Sequence, residues 1–336
     1  MSPRSRSPFA RRSPLLVGGL ALSLVLTACG GGDDEDTASG DGEQTRNESL
    51  SFATGGTGGV YYPYGGGMAN VISSELEGVT VTVQETNASV DNMKLVASGQ
   101  AALALGLGDV VSDAANGENT FADGALPICS LGNVYNNFVH AFSVSSKGIT
   151  TVEQMKGKRI AVGAVGSASE VTADRILEAA GINPQSDITR VQLGVAEGVD
   201  ALKDGTVDAA FWSGGLPTGA ITDLASTGDL VLVDTAEYAD AMAEEYGDFY
   251  FAADIPAGTY DGQDEVSPNI VSPNILVANT DMDESLQEDI TRAIFENKEQ
   301  LITVHPAANE LDPATAGDVD FIETCPGAQA YFDSAS

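Results

Sequence analysis

The sequence predicts an α/β fold shaped as a clamshell, two α/β lobes joined by two crossings of the chain. Three observations predict it. Strand, turn and helix alternate three times in succession from Leu50 to Asp109, the signature of a doubly wound lobe. The same alternation restarts after Ser145, as a second lobe requires. Each half also carries one turn of small residues between a strand and a helix, at Thr54–Tyr62 and at Val165–Glu170. Such turns expose backbone N–H groups at the positive end of a helix, where a carboxylate or phosphate is held. Ligands of two-lobed proteins bind in the cleft, and the hinge closes on them.

Residues 1–28 differ in kind from the rest. Arg4, Arg6, Arg11 and Arg12 form a basic start, and Pro14 to Val25 is an apolar core of signal-peptide length. Leu26-Thr27-Ala28-Cys29 resembles a lipobox, which predicts cleavage before Cys29 and its lipidation. The apolar run is short for a membrane span. Arg11-Arg12 is a partial match to a twin-arginine export signal, and Sec export stays open beside it. Residues 29–46 are rich in Gly, Asp, Glu and Ser without apolar periodicity, which reads as a flexible acidic tether. The expected location is the outer face of the cytoplasmic membrane.

The folded part starts near Asn47. Leu50–Ala53 reads as a strand, and the glycine turn Thr54–Val60 leads into a helix striped by Tyr61, Tyr64, Met68, Val71, Ile72 and Leu76. Val79–Glu85 alternates as a half-buried strand. Ser89 is the expected N-cap of a helix through Val90, Met93, Val96 and Ala97. Ala101–Leu107 is a fully apolar strand, so both its faces are covered, and Gly108-Asp109 opens a short helix. Pro127–Leu131 and Phe138–Ser145 read as two separate strands, with the first crossing at Ser145–Gly148.

In the second half, Thr151 to Gln154 has capping-box spacing at the start of a short helix, and Arg159–Gly163 is a strand. Ser167 and Glu170 repeat the capping-box spacing before a helix carrying Val171, Ile176 and Leu177. Strands follow at Asp187–Leu193, Val207–Trp212 and Asp229–Val233, with helices at Ala196–Lys203, Pro217–Ser226 and Ala236–Tyr246. The second crossing falls near Tyr260–Val271, and Ile275–Ala278 returns as a strand to the first lobe. Asp283–Leu301 is the clearest helix, and residues from Pro306 read as helical and then extended. The expected division is 47–145 with 271–336 in lobe 1, and 146–270 in lobe 2.

Composition narrows function. The chain holds 15 basic and 49 acidic residues, and removing the four leader arginines takes the formal balance from −34 to −38. Nucleic acid is excluded as a partner, because phosphate contacts need clustered Lys and Arg. A small anion is not, since charges beyond roughly 8 Å are screened at physiological salt. With Cys29 lipidated, Cys129 and Cys325 remain; in an exported chain they read as a disulfide or as two buried thiols. The cysteines fit no zinc spacing, there is no Gly-x-Ser-x-Gly elbow, and no metal or cofactor motif is found. An exported enzyme on the same framework is the weaker alternative. His140 and His305 read as structural histidines.

Several motifs together resemble the TAXI family, the extracytoplasmic solute-binding proteins of TRAP transporters. They are Gly55-Gly56-Thr57-Gly58-Gly59-Val60-Tyr61-Tyr62-Pro63, Ala97-Ser98-Gly99-Gln100-Ala101, Asp109-Val110, Met155–Gly163 and Gly166-Ser167. Asp208–Phe211, Gly215–Ala220, Gly258-Thr259-Tyr260, His305-Pro306 and Pro326-Gly327-Ala328 complete the resemblance, which spans roughly 50 to 332. It implies a periplasmic-binding-protein type II clamshell. It also implies capture of a small anionic solute, an organic acid or acidic amino acid, for delivery to a TRAP membrane permease driven by an ion gradient. An ABC importer is the alternative acceptor.

Carried over by motif, the ligand contacts in lobe 1 are Thr57, Gly58, Tyr61, Asn87, Ser89 and Asp109, with Val60 as a backbone donor beside Gly58. From lobe 2 come Ser167, Ser169, Trp212 and Gly214. Viewed as residues alone, Trp212 equally suits core packing and Asp109 a helix cap. The chain departs from the family at Leu107-Gly108, Ala168-Ser169 and Asn87-Ala88, which widens the expected solutes to ones less polar or larger than glutamate.

Overall fold

A computed structural model describes residues 46–227 and 229–335. The leader, the lipobox with Cys29 and all but the last residue of the tether lie outside them. The first lobe begins with β1 (Glu48–Ala53), α1 (Tyr61–Glu75), β2 (Val79–Gln84), α2 (Ser89–Ala97), β3 (Leu103–Leu107) and α3 (Gly108–Asn116). The stripe read from the sequence is the buried face of α1, with Tyr64, Met68, Val71 and Ile72 inaccessible to solvent. Burying side chains of this size stabilises by roughly 1.5–3 kcal/mol each.

β4 (Ile128–Val144) then runs for 17 residues and leads into β5 (Arg159–Ala161), α4 (Ala168–Ala179), β6 (Thr189–Val191), α5 (Val195–Lys203) and β7 (Ala209–Gly214). Next come α6 (Gly219–Ala225), β8 (Leu230–Val233), α7 (Ala239–Tyr246) and β9 (Phe251–Ile255). β10 (Ser267–Asn279) brings the chain back to α8 (Glu284–Glu296), α9 (Lys298–Ile302) and α10 (Pro326–Ala335). Among the described residues no helix is long and apolar enough to cross a membrane.

The strands pair in the order β2-β1-β3-β10-β4-β7-β5-β6, with β8 added on β4 and β9 on β10. Two parallel units of identical layout, β2-β1-β3 and β6-β5-β7, thus flank the antiparallel pair β4/β10. Each unit is covered on both faces, as parallel strands require. In the first, Phe52 and Leu105 face one core while Ala53 and Ala104 face another. In the second, Ile160 and Phe211 face one way and Ala161 and Ala210 the other.

The long strands make the crossings. Tyr135 packs in the first lobe's core and Val139 in the second's, so the chain changes lobe inside β4. Ile270 and Ile275 bracket the matching change in β10. Asn137 and Ser272 pair directly across this waist, and a register shift follows Asn274. The crossing therefore lies earlier than Ser145–Gly148. Gly132, Asn133, Asn136 and Asn137 resemble turn residues in sequence, yet pairing on both sides keeps the strand continuous and merges the two strands expected here.

Other departures are local. The helix expected after Thr151 is a single 3-10 turn, Glu153–Met155, although Gln154 Oε1 accepts from the N–H groups of Thr150 and Thr151 at 2.7 and 3.3 Å. The helix expected at Asp283–Leu301 breaks at Asn297 into α8 and α9. The described residues end in α10, not in an extended segment. Gly327 lets α10 press against α8, because a Cβ there would lie 2.0 Å from the Glu284 carbonyl oxygen. Cys129 and Cys325 are joined by a disulfide that fastens β4 to the start of α10.

Candidate functional site

In a sheet of order 2-1-3, ligands bind beyond the carboxyl ends of the strands where the order reverses. In lobe 1 that point lies at the turns after β1 and β3, and in lobe 2 at those after β5 and β7. The two lobes bring these turns together around an inner chamber of about 20 Å³, enough for one small polar group. Val60 and Tyr61 at the start of α1, Ala88 and Ser89 at the start of α2, and Ser167 to Ser169 at the start of α4 border it. Three helix N-termini thus meet at one place. The chamber opens past Gly56, Ala88, Ser167 and Trp212 into an outer cleft of about 870 Å³.

Each chamber side chain is set by its neighbours. The Tyr61 hydroxyl and Ser89 Oγ are 3.3 Å apart, and burial pushes the Tyr61 phenol well above its usual range. Ser89 is the first residue of α2 and not its cap; Ala88 precedes the helix at φ 75°, and Ser89 Oγ instead accepts from Leu107 N at 3.1 Å. The α2 N–H groups of Val90 and Asp91 are taken by the Gly166 carbonyl of the other lobe, at 3.1 and 3.4 Å. Ser167 caps α4, accepting from Glu170 N at 3.2 Å, while Glu170 reaches back to Gly166 N rather than to Ser167. Ser169 Oγ accepts from Ser213 N at 2.9 Å.

Trp212 forms the partition between chamber and cleft. Its Nε1 donates to Thr218 Oγ1 at 3.1 Å. Its ring lies so close to the backbone that a Cβ at Gly59 would come within 2.7 Å of it and one at Gly214 within 2.3 Å. Those two glycines are space requirements of the indole.

The structure brings Val60, Tyr61, Ser89, Ser167, Ser169, Trp212 and Gly214 together at the chamber. Thr57, Gly58 and Asn87 line only the outer cleft, with Asn87 Nδ2 donating to Asp91 Oδ2 at 2.9 Å. Asp109 is a correction. It is fully buried, and its Oδ2 accepts from Thr172 Oγ1 at 2.8 Å and from the Tyr250 hydroxyl at 2.5 Å, leaving it closed to solute. Arg175 lies 3.8 Å from Asp109 and 2.7 Å from Asp113, and its Nη1 donates to the Tyr250 hydroxyl at 3.1 Å. Burial pushes the Asp109 carboxyl up while Arg175 pulls it down. Asp109 and Asp113 belong to α3 and the other three to lobe 2, so the cluster is a latch between lobes.

Polar groups on the crossing strands and on β7 were not foreseen. Asn137 Oδ1 and Ser213 Oγ border the chamber, are buried and have no partner among the described residues. Ser272 Oγ and both amide atoms of Asn274, near the same waist, are also unpaired. Buried polar atoms are ordinarily satisfied, so each unpaired one needs a reason. A faint signal existed, since asparagine is depleted within strands and Asn136-Asn137 interrupts an apolar run. Among the described residues no group of three or more His, Cys, Asp or Glu could hold a metal.

A model of the NMT1-like family matches residues 52–334. Several solved structures share the outline. An ancestral arginine-binding protein bound to arginine is 14% identical, with 78% of this chain and 98% of that one covered at a TM-score of 0.49. An ABC uptake transporter substrate-binding protein from Streptococcus pneumoniae with bound histidine is 14% identical, covering 77% and 92% at 0.49. The periplasmic aliphatic sulphonate binding protein of Escherichia coli is 15% identical, covering 85% and 83% at 0.45. At such identities and scores these likenesses say nothing about this chain's ligand.

Proposed function

This chain belongs to the NMT1-like family, and from that premise we propose that it is an extracytoplasmic solute-binding receptor that closes on a small carboxylate-bearing solute and delivers it to a membrane importer. The observation that carries the reading is the interlobe chamber itself. Helix N-termini from both lobes border it, and Ser213 Oγ, a hydroxyl free to donate, is buried there without a partner. An anionic oxygen among helix N-termini gains roughly 0.3–1 kcal/mol per terminus, more when water is excluded. Closure brings the donors of α1 and α4 onto one solute, so solute and lobes stabilise the same closed state.

The chemistry asked of the site is binding. Apart from Ser213 Oγ, the hydroxyls at the chamber pair with backbone groups or with each other, and no histidine lines it. The lipobox supports attachment to the membrane through Cys29. The motif set around Gly55–Pro63 supports a TRAP permease of the TAXI type as the acceptor. An ABC importer is the second reading; it agrees at least as well with the likenesses above, since the pneumococcal structure is described as an ABC receptor and none of those reported is described as a TRAP component. A TRAP membrane subunit or an ATPase encoded beside the gene separates the two.

The receptor reading is tested by thermal-shift screening of small carboxylates, amino acids and sulfonates. Saturable stabilisation by at least one carboxylate is expected. A flat response across the panel counts against it.

A further inference from the structure

The charge pattern around the site narrows the solute further, on the premise of the receptor reading above. No charged side chain borders the inner chamber. Arg175, buried further along α4, is held by Asp113 and Asp109. What the chamber offers is helix N-termini, hydroxyls able to donate and the unpaired Ser213 Oγ, an atom on a residue 6% exposed. That set accommodates one carboxylate head in a volume fit for one such group. A second carboxylate beside it would be desolvated without a counter-charge.

The rest of the solute must extend past Trp212 into the outer cleft. There Glu85, Asp91 and Glu197 face a single Lys94. None of the three acids forms an ion pair among the described residues. Lys94 sits over the Phe121 ring at 5.8 Å and lies in no ion pair either. The cleft therefore carries an excess of negative charge, opposite in sense to the helix termini of the chamber. We infer that the site is bipolar: it takes a zwitterion whose carboxylate enters the chamber and whose cationic end lies in the cleft near Glu85, Asp91 and Glu197, and it discriminates against dicarboxylates. Uncharged ends fall between. This is narrower than the acidic amino acid or dicarboxylate expected from the family resemblance.

Three linear five-carbon acids differing at one end test the inference by isothermal titration calorimetry: 5-aminopentanoate, glutaramate and glutarate. The expected order is ammonium, then amide, then carboxylate, with about a tenfold spread between the extremes at low salt. Raising the salt should contract the spread, since the cleft acids are partly exposed. Glutarate binding as tightly as 5-aminopentanoate overturns the charge selection while the receptor reading stands. If all three and their longer and branched homologues fail to bind, the receptor reading itself is overturned. A Glu85→Gln, Asp91→Asn, Glu197→Gln triple variant should bring the extremes within about threefold of each other. An unchanged ratio in that variant overturns the assignment of these residues.

Discussion

Gly59 and Trp212 show how one side chain dictates the residue opposite it. The indole occupies the space a Cβ at 59 would need, so Gly59→Ala must push the ring out of the partition. The expected result is at least about a tenfold loss of solute affinity with a stability change of about 1–3 kcal/mol, the usual range for overpacking. Calorimetry together with urea unfolding reads both. His140 makes a different prediction. It is fully buried, its Nδ1 facing the Phe138 carbonyl at 3.1 Å and its Nε2 2.8 Å from the Tyr260 hydroxyl. Burial lowers its pKa to about 4. The unfolded chain binds the proton more readily between pH 4 and 6.5, so this contribution is complete above pH 6.5 and is lost as pH falls to 4. Relative to His140→Gln, the wild type should lose roughly 3 kcal/mol of stability over that window. A constant difference across pH would show that His140 does not titrate this way. At this scale the turns that place Tyr61, Ser89 and Ser169 at the chamber were legible, because motif and spacing locate a turn, although Ser89 does not cap its helix and their contact with solute is a proposal. Asp109 was misread, because sequence proximity to a turn does not say which way a carboxylate faces. Asn137 and Ser213 were missed, because a lone polar residue in a strand looks the same whether it faces a chamber or a turn.

Among elements, α3 and α4 carry the hinge's counterpart. Thr172 and Arg175 on α4 and Asp109 and Asp113 on α3 lock the lobes across a buried interface. Removing one partner of a buried ion pair leaves the others unpaired, at a cost of roughly 3–5 kcal/mol. Arg175→Met is therefore expected to destabilise the closed state by about that much and to enlarge the radius of gyration in small-angle scattering. Scattering unchanged from wild type would mean the latch does not hold the lobes. Helix and strand positions were legible where the apolar period was strong, as in α1 and α8. β9 escaped notice, because Phe251–Ile255 is short, rich in alanine and ends in a turn-like segment. β4 was split in the reading, because its lobe change is marked by the residues that elsewhere end strands.

Across the whole molecule, two copies of one parallel layout share the β4/β10 pair, and each lobe delivers its own turns to one chamber. The repeated layout was legible in the double alternation; the position of the waist was not, since it depends on pairing between residues over a hundred positions apart. The disulfide acts at this scale, closing a loop of 196 positions between β4 and α10. In the chain-entropy model, reducing it or replacing both cysteines by serine should cost roughly 3–5 kcal/mol in urea unfolding. Solute affinity should be little changed, because the bridge lies in the first lobe's core and neither cysteine lines the chamber or the cleft. The most direct measurement of the central claim uses Trp212, the chain's only tryptophan and the partition of the chamber. Its emission should change saturably with a carboxylate that raises the melting temperature, at the same midpoint as the calorimetric titration. A solute that binds and stabilises yet leaves Trp212 emission unaltered would place the site elsewhere and contradict the account.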